Sequence, residues 1–103
     1  MDLDAAAAAY LRAFGRAVRR RRERLGLSQE RFALQAGIDR TYQSGVERGV
    51  RNPTVKMVAK IAATLGTRPT RLFKGAERAG KLGGDNRRCA DLVSLRLWRR
   101  RAP

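Results

Sequence analysis

The sequence predicts an all-α fold, a compact domain of five helices followed by a basic tail. Three observations carry that prediction. Apolar residues recur at three- and four-residue spacing in successive windows, glycine closes the first four windows, and residues able to cap a helix open most of them. No segment alternates apolar and polar residues over the length of a strand.

The first helix is expected from residue 4 to about residue 25. Leu11, Phe14, Val18 and Leu25 share one face there, and Gly26 is the stop. A short second helix opens after Ser28 and runs through Phe32, Ala33 and Ala36 to Gly37. Asp39 then caps a third, Arg40 to Arg48, which ends at Gly49. Asn52-Pro53 supplies a cap and a proline at a first helical position. The stripe Val55, Val58, Ile61, Ala62 and Leu65 follows, up to Gly66. Arg68-Pro69 repeats the start signal for a last helix through Leu72 and Phe73.

This divides the chain into three parts. Residues 1–13 extend the first helix, 14–73 form the domain, and 74–103 form a glycine-containing linker and basic tail. Gly75, Gly80, Gly83 and Gly84 punctuate that last part, and 91–101 (DLVSLRLWRRR) can form one extra helix.

Lys and Arg total 24 against 9 acids, for a formal net charge of +15. Residues 1–13 carry −1, 14–73 carry +10 and 74–103 carry +6. Such an excess calls for a polyanionic partner, nucleic acid or an anionic membrane surface. No apolar run is long enough to span a bilayer, so a membrane contact would be peripheral, with Trp98 as its anchor. The acidic, alanine-rich start lacks the order of a secretory signal, and a lone Cys89 allows no internal disulfide. Both suit a cytoplasmic protein. With one cysteine and no histidine there is no zinc finger, and no cofactor or metal is expected. The acids are scattered and suggest no hydrolytic pair, so the expectation is not an enzyme.

The segment Gln29 to Arg48 carries the functional signal. Two helices joined at a sharp angle need a small residue where they pack closest and glycine at the turn. Ala33 and Gly37 meet those needs, and Phe32, Ala36, Ile38 and Val46 face inward to fix the second helix. Gln43 stands in an inward slot suited to an aliphatic side chain, and its amide is expected to bond a backbone group beneath the helix.

The ordered tokens Leu27-Ser28-Gln29-Glu30, Ala33, Gly37-Ile38, Thr41-Tyr42, Val46-Glu47-Arg48-Gly49 and Arg51-Asn52-Pro53, with Leu72-Phe73, span residues 14–73. In that set the chain resembles the phage repressor/Cro type of helix-turn-helix regulator, the xenobiotic-response-element family. The resemblance implies a lambda-repressor-like domain that binds double-stranded DNA. It implies a reader helix at Arg40–Arg48, with Arg40, Thr41, Ser44 and Gly45 facing the bases. Arg40 is the foremost base contact, because a guanidinium pairs bidentately with guanine. Gln29, Tyr42, Arg48, Arg51 and Asn52 are the implied phosphate contacts. Arg22 and Glu47 match an ion pair that ties the first helix to the reader.

The resemblance also implies a homodimer reading a two-fold symmetric operator, joined around Arg68, Leu72 and Phe73 and extended by Leu92, Leu95 and Trp98. The family holds repressors, restriction–modification controllers and antitoxins. Two other readings stay open. One is an antitoxin or coactivator-like module whose main partner is a protein, bound through the C-terminal tail. The other is non-specific nucleic-acid binding driven by charge.

Overall fold

A computed structural model of the chain describes residues 2–80. The expectations for the linker, for Cys89 and for a helix at 91–101 fall outside the described residues. Five helices run α1 (Leu3–Arg24), α2 (Gln29–Ala36), α3 (Arg40–Arg48), α4 (Val55–Leu65) and α5 (Pro69–Gly80), with no strand among the described residues. None of these helices is long and apolar enough to cross a membrane.

Local chemistry sets most of the boundaries. The Asp2 carboxylate accepts from the Asp4 amide at 3.0 Å, Ser28 Oγ from Arg31 at 3.1 Å and Asp39 from Thr41 at 3.0 Å. Each satisfies an amide that the first helical turn leaves without a partner. At the α2–α3 turn Gly37 takes φ +70°, the left-handed conformation that glycine enters without steric cost, and Ile38 donates back to the Ala33 carbonyl at 2.9 Å.

Two boundaries differ from expectation. The cap of α4 is Thr54, whose hydroxyl accepts from Met57 at 3.2 Å. Thr54 also offers a side-chain oxygen for a cap, and with it the helix starts two residues later than Asn52-Pro53 suggested. The second difference is α5, which continues past Phe73 to Gly80. Gly75 costs only about 1 kcal/mol relative to alanine in a helix. Lys74, Ala76, Glu77, Arg78 and Ala79 all propagate helix well, so the expected linker boundary at residue 74 falls inside a helix.

The core is shared by all five helices. Phe14 and Val18 of α1 meet Phe32 and Ala36 of α2, Val46 of α3, Val58, Ile61, Ala62 and Leu65 of α4, and Leu72 of α5. It also reaches into the segment treated as an N-terminal extension. Ala13 is fully buried, and Tyr10 stacks obliquely on Phe73 at 6.1 Å between ring centroids. Three stripe residues miss the core: Leu11 is half-buried outside it, Leu25 becomes the exposed cap of α1, and Val55, 86% exposed, opens α4 on its solvent side. A helical stripe of residues marks a face, but the first and last turns project beyond the neighbouring helices.

Candidate nucleic-acid interface

α3 is held from both ends and from beneath. Where it crosses α1, the backbone of Gly15 lies so close that a Cβ there would sit 2.3 Å from the Val46 carbonyl oxygen. At its C-terminus Gly49 (φ +78°) passes over α1, where a Cβ would lie 2.6 Å from Arg12 Cα. Val46 anchors α3 in the core, and Tyr42 and Ile38 pack against that core from its edge.

Beneath the helix lies a buried polar network centred on Glu47. Its Oε2 accepts from Arg22 Nε at 2.7 Å and from Gln43 Nε2 at 2.8 Å. Its Oε1 accepts from an Arg22 terminal nitrogen at 2.9 Å and from Gln29 Nε2 at 3.1 Å. Burial pushes the Glu47 carboxyl up, but the hydrogen bonds from Arg22, Gln29 and Gln43 and the Arg22 charge outweigh it, and the carboxyl titrates below its ordinary range. Its own hydrogen bonds to Glu47 raise Arg22 above its ordinary value, against the opposing effect of burial. Arg22 also donates to the Leu27 carbonyl at 2.6 Å, so one guanidinium joins α1, the α1–α2 loop and α3. The bidentate fork fixes the azimuth of α3 about its own axis as well as its distance from α1.

The Gln43 amide therefore bonds Glu47, not the backbone group expected for it. The residue is fully buried, and its Oε1 has no hydrogen-bond partner. Losing the Glu47 hydrogen bond and removing the orphaned carbonyl act in opposite directions. Gln43→Met is accordingly expected to shift the urea midpoint by no more than about 1 kcal/mol in stability. A larger loss would mean that the Nε2 hydrogen bond dominates.

On the opposite side of α3, Arg40, Thr41 and Arg48 are exposed and Ser44 is half-buried. At about 100° per residue these four fall within one arc of the helix, roughly 100° wide. The Asp39 cap puts Arg40 at the very start of that arc. Gly45 is not on it. It is buried under Arg51, whose Cγ lies 2.5 Å from where a Gly45 Cβ would stand. The Gly45 carbonyl accepts from Val50 at 2.9 Å and Arg51 at 3.3 Å, so the missing side chain makes room for the returning loop, not for a base. That fold-back leaves Arg51 and Asn52 exposed just beyond the end of α3. Gln29 is half-buried at the start of α2, with one amide hydrogen given to Glu47.

The suggested dimer residues separate in the same way. Leu72 is fully buried in the protomer's own core and has no surface to offer a second subunit. Phe73 stacks on Phe14 at 5.2 Å and is half-buried, while Arg68 is exposed. The Arg22–Glu47 pair that the resemblance implied is present, but the two glutamine donors that complete the Glu47 network and the Gly45–Arg51 contact were not legible in the sequence. Glutamines at 29 and 43 flanking a buried acid are the one trace of the network.

Two short capped helices joined by a left-handed glycine, the second with a polar exposed arc and a buried opposite face, define a helix-turn-helix domain. The helix-turn-helix family model matches residues 18–72, and the chain belongs to that family, whose members are DNA-binding transcriptional regulators and not enzymes. Control protein C.MunI from Mycoplasma sp is 45% identical over 58 residues, which cover 56% of this chain and 78% of that protein. The crystal structure of the restriction–modification controller protein C.AhdI from Aeromonas hydrophila matches with a TM-score of 0.59 at 44% identity, covering 60% of this chain and 94% of that one. The clp gene regulator ClgR from Corynebacterium glutamicum shares the fold more extensively, with a TM-score of 0.68 over 84% of this chain and 92% of its own, at 21% identity.

Proposed function

We propose that this regulator is a restriction–modification controller type of protein that binds a two-fold symmetric operator as a homodimer, with α3 in the major groove. The observation that carries this reading is the exposed arc of α3 headed by Arg40, on a helix whose other side is locked by the Glu47 network. Similarity to C.MunI and C.AhdI supports the controller type.

In this reading Arg40 and Thr41 meet base edges, with Ser44 beside them. Arg48, Arg51 and Asn52 grip the phosphates at one end of the reader helix. Gln29 grips the opposite strand with its second amide hydrogen and the free amides of the α2 N-terminus. Tyr42 reaches the backbone from the flank of the arc. Gly45 contributes by seating Arg51. Since direct readout rests on so few side chains, sequence-dependent DNA shape supplies part of the specificity.

One reader helix covers too little DNA for tight specific binding, and two-fold pairing doubles the contact. With Leu72 committed to the core, Arg68 and the open part of Phe73 are what remains of the suggested surface for the second subunit. A single protomer found by sedimentation on a full operator would remove the dimer.

Selection of bound duplexes from a random pool gives the site and its symmetry. On the selected duplex Arg40→Ala is expected to cost about 1–3 kcal/mol and to relax preference at one position per half-site. An equal loss on unrelated DNA would remove Arg40 from base readout.

A further inference from the structure

A second basic feature lies on the far side of α1. Arg20, Arg21 and Arg24 of α1 and Arg71 of α5 line an open pocket of about 130 Å³, with Ala17 as its fifth wall. At about 100° per residue, Ala17, Arg20, Arg21 and Arg24 point away from Arg12, Gly15 and Arg22, the residues of α1 that meet α3. DNA seated on α3 therefore does not fill this pocket.

The four arginines line one opening without compensation. None of them pairs with an acid among the described side chains; the neighbouring Glu23 is taken by Arg19 at 2.9 Å. Arg21 and Arg24 have a local reason to be there, since cations are favoured in the last turn of a helix. Arg71 has the opposite situation. It lies in the first turn of α5, where the helix dipole disfavours a cation and where no acidic residue offsets it. Holding it beside three like charges costs further free energy, which an anion in the pocket would reverse.

We propose that this pocket is a binding site for a di- or triphosphate group, separate from the DNA-reading surface. Four arginines around a small volume suit a compact, multiply charged oxyanion, because a guanidinium can give two parallel hydrogen bonds to phosphoryl oxygens. An extended acidic peptide would need a longer strip with apolar contacts, and the small Ala17 methyl supplies almost none. The inference does not depend on which residues of α3 read bases, and its test is arranged accordingly.

The probe is sodium tripolyphosphate, titrated calorimetrically into the full chain at about 0.15 M salt, where diffuse surface charge is screened. One saturable site is expected. Arg21→Ala/Arg71→Ala should weaken it about tenfold or more, whereas the exposed pair Arg16→Ala/Lys60→Ala, with the same change in charge, should alter it less than about twofold. Arg21→Lys/Arg71→Lys keeps the charge and loses the forks, so an intermediate loss is expected.

Thermal melts keep binding apart from folding, with tripolyphosphate raising the wild-type midpoint but not that of the Arg21→Ala/Arg71→Ala variant. The site should also fill when the protein is saturated with its selected duplex. Equal losses in the two alanine pairs, or the lack of saturation, would overturn the proposal. So would exclusion of tripolyphosphate by bound DNA together with weaker duplex binding by the Arg21→Ala/Arg71→Ala variant, which would make the pocket a contact for the nucleic-acid backbone.

Discussion

Glu47→Ala is expected to destabilise the folded chain by about 3–5 kcal/mol, the cost of leaving a buried guanidinium without its partner. The Arg22 and Glu47 side chains are only 10% and 2% exposed, so water cannot take over the lost hydrogen bonds. Arg22, Gln29 and Gln43 would all lose an acceptor at once. Urea unfolding gives the measurement; a loss below about 1 kcal/mol would show that the pair behaves like a surface ion pair.

Acid should weaken the wild type through the same carboxyl. The Glu47 carboxyl is held below the ordinary glutamate value of 4.5, so the unfolded chain binds more protons than the folded one near that pH. Its contribution is fully present above the unfolded value and is lost as pH falls through the depressed folded value. The wild-type urea midpoint should fall steadily across that interval, and the profile of Glu47→Gln should be flatter. Parallel profiles would assign the acid sensitivity to other carboxylates.

Gly15→Ala is expected to have the second largest effect. The new Cβ would stand 2.3 Å from the Val46 carbonyl oxygen, 2.6 Å from the Glu47 carbonyl oxygen and 2.8 Å from the Glu47 carbonyl carbon. These are backbone atoms of α3 and cannot rotate aside, so the helix itself must retreat from α1. A loss of about 2–3 kcal/mol in stability follows from overpacking of this kind. The same retreat lengthens the Arg22–Glu47 fork and turns the Arg40 arc, so affinity for the selected duplex should fall even where the variant remains folded. Full duplex affinity in a folded Gly15→Ala protein would show that the α1–α3 spacing does not position the reader.

Much of the domain is written in local chemistry. Ser28, Gly37, Asp39 and Gly49 act through their own backbone neighbourhood within a few residues, and the reader helix stands where those signals place it. Phe14, Val18, Phe32, Val46 and Ile61 are core because a buried stripe at helical spacing has nowhere else to go. The errors share a different origin. Thr54 displaced Asn52 as a cap because two adjacent segments carried competing signals, and Gly75 was outweighed by good helix formers on either side of it. Gly45 was assigned outward by its position on the helix, yet the chain returns across it. Leu72 was free to face a second subunit in the sequence and is enclosed by the protomer's own helices.

The sequence by itself determined an all-α helix-turn-helix regulator and where the two helices of its motif begin and end. Caps, stops and periodicity are short-range properties, and composition needs no geometry. Only the tertiary structure decided what lies beneath and behind the reader helix. The four-donor grip on Glu47, the backbone contact at Gly15 and the pocket that Arg20, Arg21 and Arg24 share with Arg71 each join residues distant in the chain. Such contacts depend on how the helices cross, and no local pattern encodes a crossing.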